Sequence, residues 1–212
     1  MRINTKSMAF TALLAAIICA LSPWSVMLGP IPLSFGSLAI YIASCLLDKK
    51  HGTVAVTVFV ALGAFGVPVF TGFTGGFAKI AGPTGGYIIG YIFCALVIGL
   101  LVDALEKRIW AYPVAMIAGT AVLYAFGTAW FVFQSGADWL SALAVCVLPF
   151  LIGDAIKIVV ATALCFKLRF LLKKLLGGSL KRKRKKPAAD IPVAGDFADG
   201  ITESTADEDK TE

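Results

Sequence analysis

The sequence predicts an all-α integral membrane protein with six transmembrane helices and both termini in the cytoplasm. Three observations carry that prediction. Of the 212 residues 58% are hydrophobic and only 15% charged, and the mean hydropathy is +0.86; a soluble domain is charged at about a quarter of its positions. The apolar residues gather into six runs separated by turns. The loops between the runs alternate in positive charge, which is how a membrane chain records its orientation.

The six runs are taken in order. A straight span needs about 20 apolar residues. The first runs from Met8 to Leu28, the second from Leu33 to Leu47, the third from Thr53 to Val67. The fourth covers Thr84 to Val102, the fifth Ala111 to Phe133, and the sixth Leu140 to Phe166, with a continuation to Leu172 open. Spans two and three are too short to cross alone, so burial in protein or extension into the flanking loops must compensate. Arg2 and Lys6 ahead of span one resemble the start of a signal peptide. The chain stays hydrophobic past Ser22-Pro23-Trp24 without a convincing cleavage site, so this segment reads as a retained first span.

Charge gives the orientation. Arg2 and Lys6, then Lys49, Lys50 and His51, then Lys107 and Arg108, then Lys167, Arg169, Lys173 and Lys174 fall on one side; the other three loops hold Lys79 and Asp138. The basic side is cytoplasmic. The chain divides into a membrane domain, residues 1–172, and a cytoplasmic tail, residues 173–212. Residues 167–186 hold ten of the nineteen Lys and Arg, and residues 187–212 hold eight of the thirteen acids. Such a tail is too polar to build a core, and its basic root suits anionic lipid headgroups rather than nucleic acid. The net charge of +6 therefore reports a collar beside a membrane.

Two outer loops are unusual. Gly66 to Tyr87 holds seven glycines and two prolines in twenty-two residues, and Gly29-Pro-Ile-Pro-Leu-Ser-Phe-Gly36 is a second compact apolar turn. Glycines let main-chain groups approach a ligand closely, and prolines fix the course of the chain. No Gly-Lys-Ser/Thr follows, so this is not a phosphate-binding loop. Beneath these loops Asp154 and Lys157 share one face of span six. A charge at the centre of a membrane helix costs roughly 2.5–3.5 kcal/mol on insertion scales. Either the two neutralise one another or they face a cavity and hold something.

Other features are plain. Cys19, Cys45, Cys94, Cys146 and Cys165 lie in apolar runs and read as small buried side chains; no metal site or cofactor is implied. His51 sits in a charged, solvated loop. Asp103, near Glu106, Lys107 and Arg108, reads as interfacial capping. No Walker motif, no His-Glu-x-x-His and no Gly-x-Ser-x-Gly occurs, so an enzyme is not expected. Ala12, Ala16 and Ala20 form a flat stripe on span one, of the kind that admits a close helix.

Three stretches together resemble BioY, the biotin-specific S component of energy-coupling-factor (ECF) transporters: Gly29-Pro-Ile-Pro with Leu33-Ser34; Gly66-Val-Pro-Val-Phe70 with Gly75-Gly76, Gly82-Pro-Thr-Gly-Gly-Tyr87 and Gly90; and Gly153-Asp154-Ala-Ile-Lys157. The resemblance covers Ala9 to Phe166. Departures fall at Phe35-Gly36 and at Thr71-Gly72-Phe73-Thr74, and no amide ligand contact is carried over because Asn4 and Gln134 are the only such residues. The resemblance implies a protein of the prokaryotic plasma membrane that captures biotin outside. It implies delivery with a transmembrane coupling subunit and two cytoplasmic ATPase subunits, with Ala12, Ala16 and Ala20 meeting the coupling subunit. Asp154 accepts from the ureido N–H groups and Lys157 donates to the ureido carbonyl or the carboxylate. Phe73, Phe77 or Tyr87 stacks on the rings, and Thr84, Gly85 and Gly86 complete the site. The alternative is a stand-alone secondary transporter of a small vitamin, coupled to a proton on Asp154.

Overall fold

The computed structural model describes residues 5–27, 32–105 and 110–183. Helix α1 (Thr5–Leu21) stops just before Pro23, and its end closes with Ser22 N–H donating to Ile18 O at 2.9 Å. The predicted first span therefore overruns: Ser25–Met27 is a strand, β1, paired antiparallel with β2 (Pro32–Ser34), Ser25 opposite Ser34. Pro23 before β1 and Pro32 at the start of β2 bar helix there. Leu33, expected to open span two, lies in β2, and α2 begins at Gly36 (Gly36–Leu46).

The short second helix is compensated as expected. Eight of the eleven α2 residues are buried, among them Ile40, Tyr41 and Cys45. Helix α3 (Lys49–Ala64) starts a turn earlier than predicted and ends three residues short of the expected Val67. Asp103, at the end of α5 (Gly85–Ala104), accepts from the Lys49 N–H at 3.4 Å. It therefore caps the neighbouring helix α3 rather than its own, satisfying one of the donors a helix start leaves open. A one-turn helix α4 (Phe77–Ala81) interrupts the glycine-rich loop, and α6 spans Ala111–Ser135.

The sixth run is not one helix. Helix α7 (Trp139–Cys146), capped by Asp138 accepting from Leu140 N–H at 3.2 Å, gives way to α8 (Leu148–Lys183) at Val147. Pro149 is the cause: it lacks an N–H and its ring clashes with the carbonyl four residues back, so α7 cannot run on through it. Gly85–Ala104, Ala111–Ser135 and the Leu148–Leu168 part of α8 are each long and apolar enough to cross a bilayer, while Ser7–Leu21 and Gly36–Leu46 are shorter apolar helices. Ile152, Ile156 and Val159 on α8 and Val54 and Val58 on α3 are exposed. Outward apolar faces of that kind suit lipid rather than water.

Helices α5 and α6 pack most closely. Gly86 lies under Trp130, Gly127 under the Tyr87 ring and Gly119 under Ile98, each with no room for a Cβ. Small residues let helix backbones approach in this way within a membrane. The core holds two clusters, one around Tyr41, Ile98, Met116 and Leu123 and one around Ile18, Ile40, Val56 and Phe59. Cys45, Cys94, Cys146 and Cys165 are buried, Cys19 is half-buried, and none of the five is in a disulfide. By its contacts the chain divides into Met1–Leu171 and Leu172–Glu212. Arg2, Gly29-Pro30-Ile31, Glu106-Lys107-Arg108, the basic run from Arg184 to Lys186 and the acidic tail lie outside the described residues.

Candidate functional site

Asp154 and Lys157 are both buried, at 6% and 8% exposure, on one face of α8. Their ion pair is direct: Lys157 Nζ donates to Asp154 Oδ1 at 3.1 Å. Two further bonds carry Lys157 across to the β2–α2 junction, with Nζ donating to Ser34 O at 2.8 Å and to Ser37 Oγ at 2.8 Å. Tyr124 on α6 donates its hydroxyl to Asp154 Oδ2 at 2.5 Å. Each buried charge is thus matched by hydrogen bonds from neighbouring elements, the condition for keeping charges out of water.

The Ser34 turn supports this. Ser34 Oγ donates to Ser22 O at 3.0 Å and accepts from Gly36 N–H at 2.9 Å, while Ser37 Oγ donates to Ser34 O at 3.0 Å. Gly36 backs directly onto Ser22, leaving no space for a Cβ. The end of α1, β2 and the start of α2 are knotted together just where Lys157 arrives.

A cavity opens beside the pair, with ≈ 660 Å³ between its walls, the open mouth included. Phe59, Phe70, Ile88, Leu123 and Phe150 supply apolar wall. Ser22, Thr71, Thr84, Tyr87, Tyr91 and Tyr124 supply polar wall. This is the mix expected of a ligand pocket: mostly apolar, with a few placed polar groups.

Tyr87 is held in the wall by the helix break. In an unbroken helix the Phe150 N–H would bond Cys146 O; here it bonds Val147 O at 3.0 Å. The released Cys146 carbonyl accepts from the Tyr87 hydroxyl at 3.4 Å.

The 66–76 segment closes over the Phe59 side. Phe70 is 2% exposed, lies on Gly63 where a Cβ would collide with its ring, and meets Phe59 edge-on at 5.6 Å. Main-chain bonds fasten the segment: Phe70 N–H to Thr74 O at 2.9 Å, Gly72 N–H to Pro23 O at 2.9 Å, Gly76 N–H to Gly63 O at 2.7 Å. Gly66, Gly72 and Gly76 have φ of 97°, 75° and 98°, the left-handed region in which a side chain is strained. Beyond it Trp130 Nε1 donates to Gly82 O at 2.9 Å and Gln134 Nε2 to Ala81 O at 2.8 Å, pinning the turn before α5.

Of the predicted site residues, the structure brings Asp154, Lys157, Tyr87 and Thr84 into one wall. Gly85 and Gly86 serve packing instead: a Cβ would strike Ile80 O at the first and Trp130 at the second. Phe73 and Phe77 stand outside the pocket at 59% and 74% exposure, Phe73 against Trp24 at 5.7 Å with a φ of 56°. Exposure of Phe73 follows from that left-handed turn, which aims its ring at Trp24 rather than inward. Sequence reasoning missed Ser37, Tyr91, Tyr124, Phe59 and Phe150 as wall residues. Ala12, Ala16 and Ala20 form an exposed stripe on α1.

Apolar helices long enough to cross a bilayer, wrapped round a cavity that holds a buried ion pair, define an integral membrane protein with a built internal pocket. The chain belongs to the BioY family, whose sequence model matches residues 1–174. It is 39% identical over 171 residues to the biotin transporter BioY of Thermotoga maritima, covering 80% of this chain and 96% of that protein. It is 37% identical over 172 residues to the biotin transporter BioY of Rhizobium etli, covering 76% and 91%. Among solved structures it is similar to the S-component for biotin from an ECF-type ABC transporter, with a TM-score of 0.72 at 30% identity, covering 78% of this chain and 91% of that one.

Proposed function

We propose that this protein is a biotin-uptake S component: it captures biotin from the outer side of a prokaryotic plasma membrane and delivers it with an ECF coupling module. The observation that carries the reading is the Asp154–Lys157 pair set in the pocket wall of a BioY family chain. Biotin has two ureido N–H donors, a ureido carbonyl, an apolar thiolane and an acyl chain ending in a carboxylate. An ionised carboxylate only accepts, at about four lone-pair sites. Two of those on Asp154 go to Lys157 and Tyr124, which leaves capacity for the ureido N–H groups. Lys157 meets the ureido carbonyl. The rings lie against Tyr87, Phe59 and Phe70, and the acyl chain runs out past Thr71 and Thr84. Hydrogen bonds to charged groups contribute roughly 1.5–3 kcal/mol each, so a few of them with the apolar wall suffice for tight binding.

Six crossings with cytoplasmic termini fit this reading. The contact of Lys49 with Asp103 joins the start of α3 to the end of α5 at the basic end, while Ser22, Thr71 and Thr84 from loops of the other end converge on the pocket. The α7–α8 pair then forms the sixth crossing. The coupling partners are a transmembrane subunit docking on Ala12, Ala16 and Ala20 and two ATPase subunits. Calorimetry of the purified protein against biotin, desthiobiotin, thiamine and riboflavin tests the ligand: biotin binds, the other vitamins do not. Uptake into vesicles that requires the ATPase module and not a proton gradient separates this reading from proton-coupled transport.

A further inference from the structure

Lys157 has no donor to spare. An ammonium group carries three N–H bonds, and Ser34 O, Ser37 Oγ and Asp154 Oδ1 take one each, at 2.8, 2.8 and 3.1 Å. A ligand carbonyl arriving at this group must displace one of them. The three are not equally easy to displace. Releasing Asp154 separates a buried ion pair, and an unpaired buried charge is strongly destabilising. Releasing the Ser34 carbonyl detaches α8 from main chain at the start of α2. Ser37 is different. Its hydroxyl proton is already committed to Ser34 O at 3.0 Å, so losing the bond from Lys157 strands no donor and leaves only a spare lone pair. It is buried and it lines the cavity.

We propose that Ser37 is a specificity-determining residue that stands in for the ligand's carbonyl: its Oγ holds Lys157 Nζ while the site is empty and yields that N–H to the ureido oxygen on loading. This rests on the reading that the ureido group docks on Asp154 and Lys157. The empty and loaded states then have the same number of bonds at Lys157, so binding replaces one bond by another there. Removing the stand-in leaves Lys157 with an open donor that only the loaded state fills.

The test is Ser37→Ala, with Ser37→Thr as the control that keeps the hydroxyl. Full-length protein in detergent is measured by calorimetry with biotin and with desthiobiotin, which retains the ureido ring, and by thermal unfolding with and without saturating biotin. Ser37→Ala is expected to bind both ligands about tenfold tighter, the affinity equivalent of one weak charge-assisted hydrogen bond. Its empty form melts lower than the parent and its loaded form does not, so the ligand-induced rise in melting temperature grows. Ser37→Thr, which keeps the acceptor oxygen, is expected to show no such gain in affinity. If Ser37→Ala binds more weakly, Ser37 touches the ligand directly and the stand-in is refuted. If affinity and melting shift are unchanged, another donor on the wall, Tyr91 for example, takes the ureido oxygen and the proposal is equally refuted. Should Ser37→Ala not fold, Ser37→Cys, a weaker acceptor, is expected to bind severalfold tighter, and parent-like binding overturns the idea. Failure of the underlying reading looks different: the parent binds no biotin, or Lys157→Ala binds it as well as the parent does.

Discussion

Asp154, Lys157, Tyr124 and the Ser34–Ser37 turn hold one side of the pocket through an ion pair on α8 and side-chain hydrogen bonds from distant parts of the chain. The 66–76 segment holds the other side through main-chain bonds to its neighbours, with glycines at the turns. The first arrangement fixes chemistry, because every bond depends on a particular functional group. The second fixes shape, because a main-chain bond is indifferent to the side chain above it. A ligand's polar head calls for the first and its apolar body for the second.

The sharpest way to break the comparison is at the ion pair. Lys157→Ala leaves Asp154 buried without its cation, so a loss of roughly 3–5 kcal/mol in stability is expected, together with loss of biotin binding by a hundredfold or more in calorimetry. Asp154→Asn keeps the shape and is expected to weaken binding by tenfold or more in a protein that stays folded. The double change Asp154→Leu with Lys157→Met removes both charges, and it should recover most of the stability in thermal unfolding while binding no biotin. A double variant that still binds the vitamin would move the chemistry elsewhere.

On the other side of the pocket, Gly63→Ala drives a methyl into the Phe70 ring. An overpacked core costs about 1–3 kcal/mol, and biotin affinity is expected to fall about tenfold as Phe70 leaves the wall. Tyr124→Phe sits between the two cases. It removes a donor to Asp154 in empty and loaded states alike, so binding changes by only a few fold. The smallest effects are expected at Phe73→Ala and Phe77→Ala, whose rings lie outside the cavity; titration should find both within about twofold of the parent. A larger loss at either would mean that the ring enters the pocket once ligand is present.

Much of this was legible in the chain. Asp154 and Lys157 announced themselves by their cost in an apolar run, and the Gly82–Tyr87 block located the turn that brings Thr84 and Tyr87 to the pocket. The α7–α8 break had a signal, Pro149, that a count of apolar residues passes over. Ser37 and Tyr124 had none. They join the pair from 120 and 30 residues away in sequence, and only the packing of α2 and α6 against α8 makes them neighbours. Phe73 and Phe77 misled for the opposite reason: aromatic residues beside a glycine-rich loop suggest a stacking surface, but a positive φ at Phe73 turns its ring to Trp24.

The kink at Pro149 has one more consequence. A peptide oxygen at position 146 meets the Tyr87 phenol, and the thiol beside it is wholly enclosed. Only a newcomer no larger than that thiol, alanine or serine, is accommodated at Cys146; a bulkier one pushes the aromatic wall off its post.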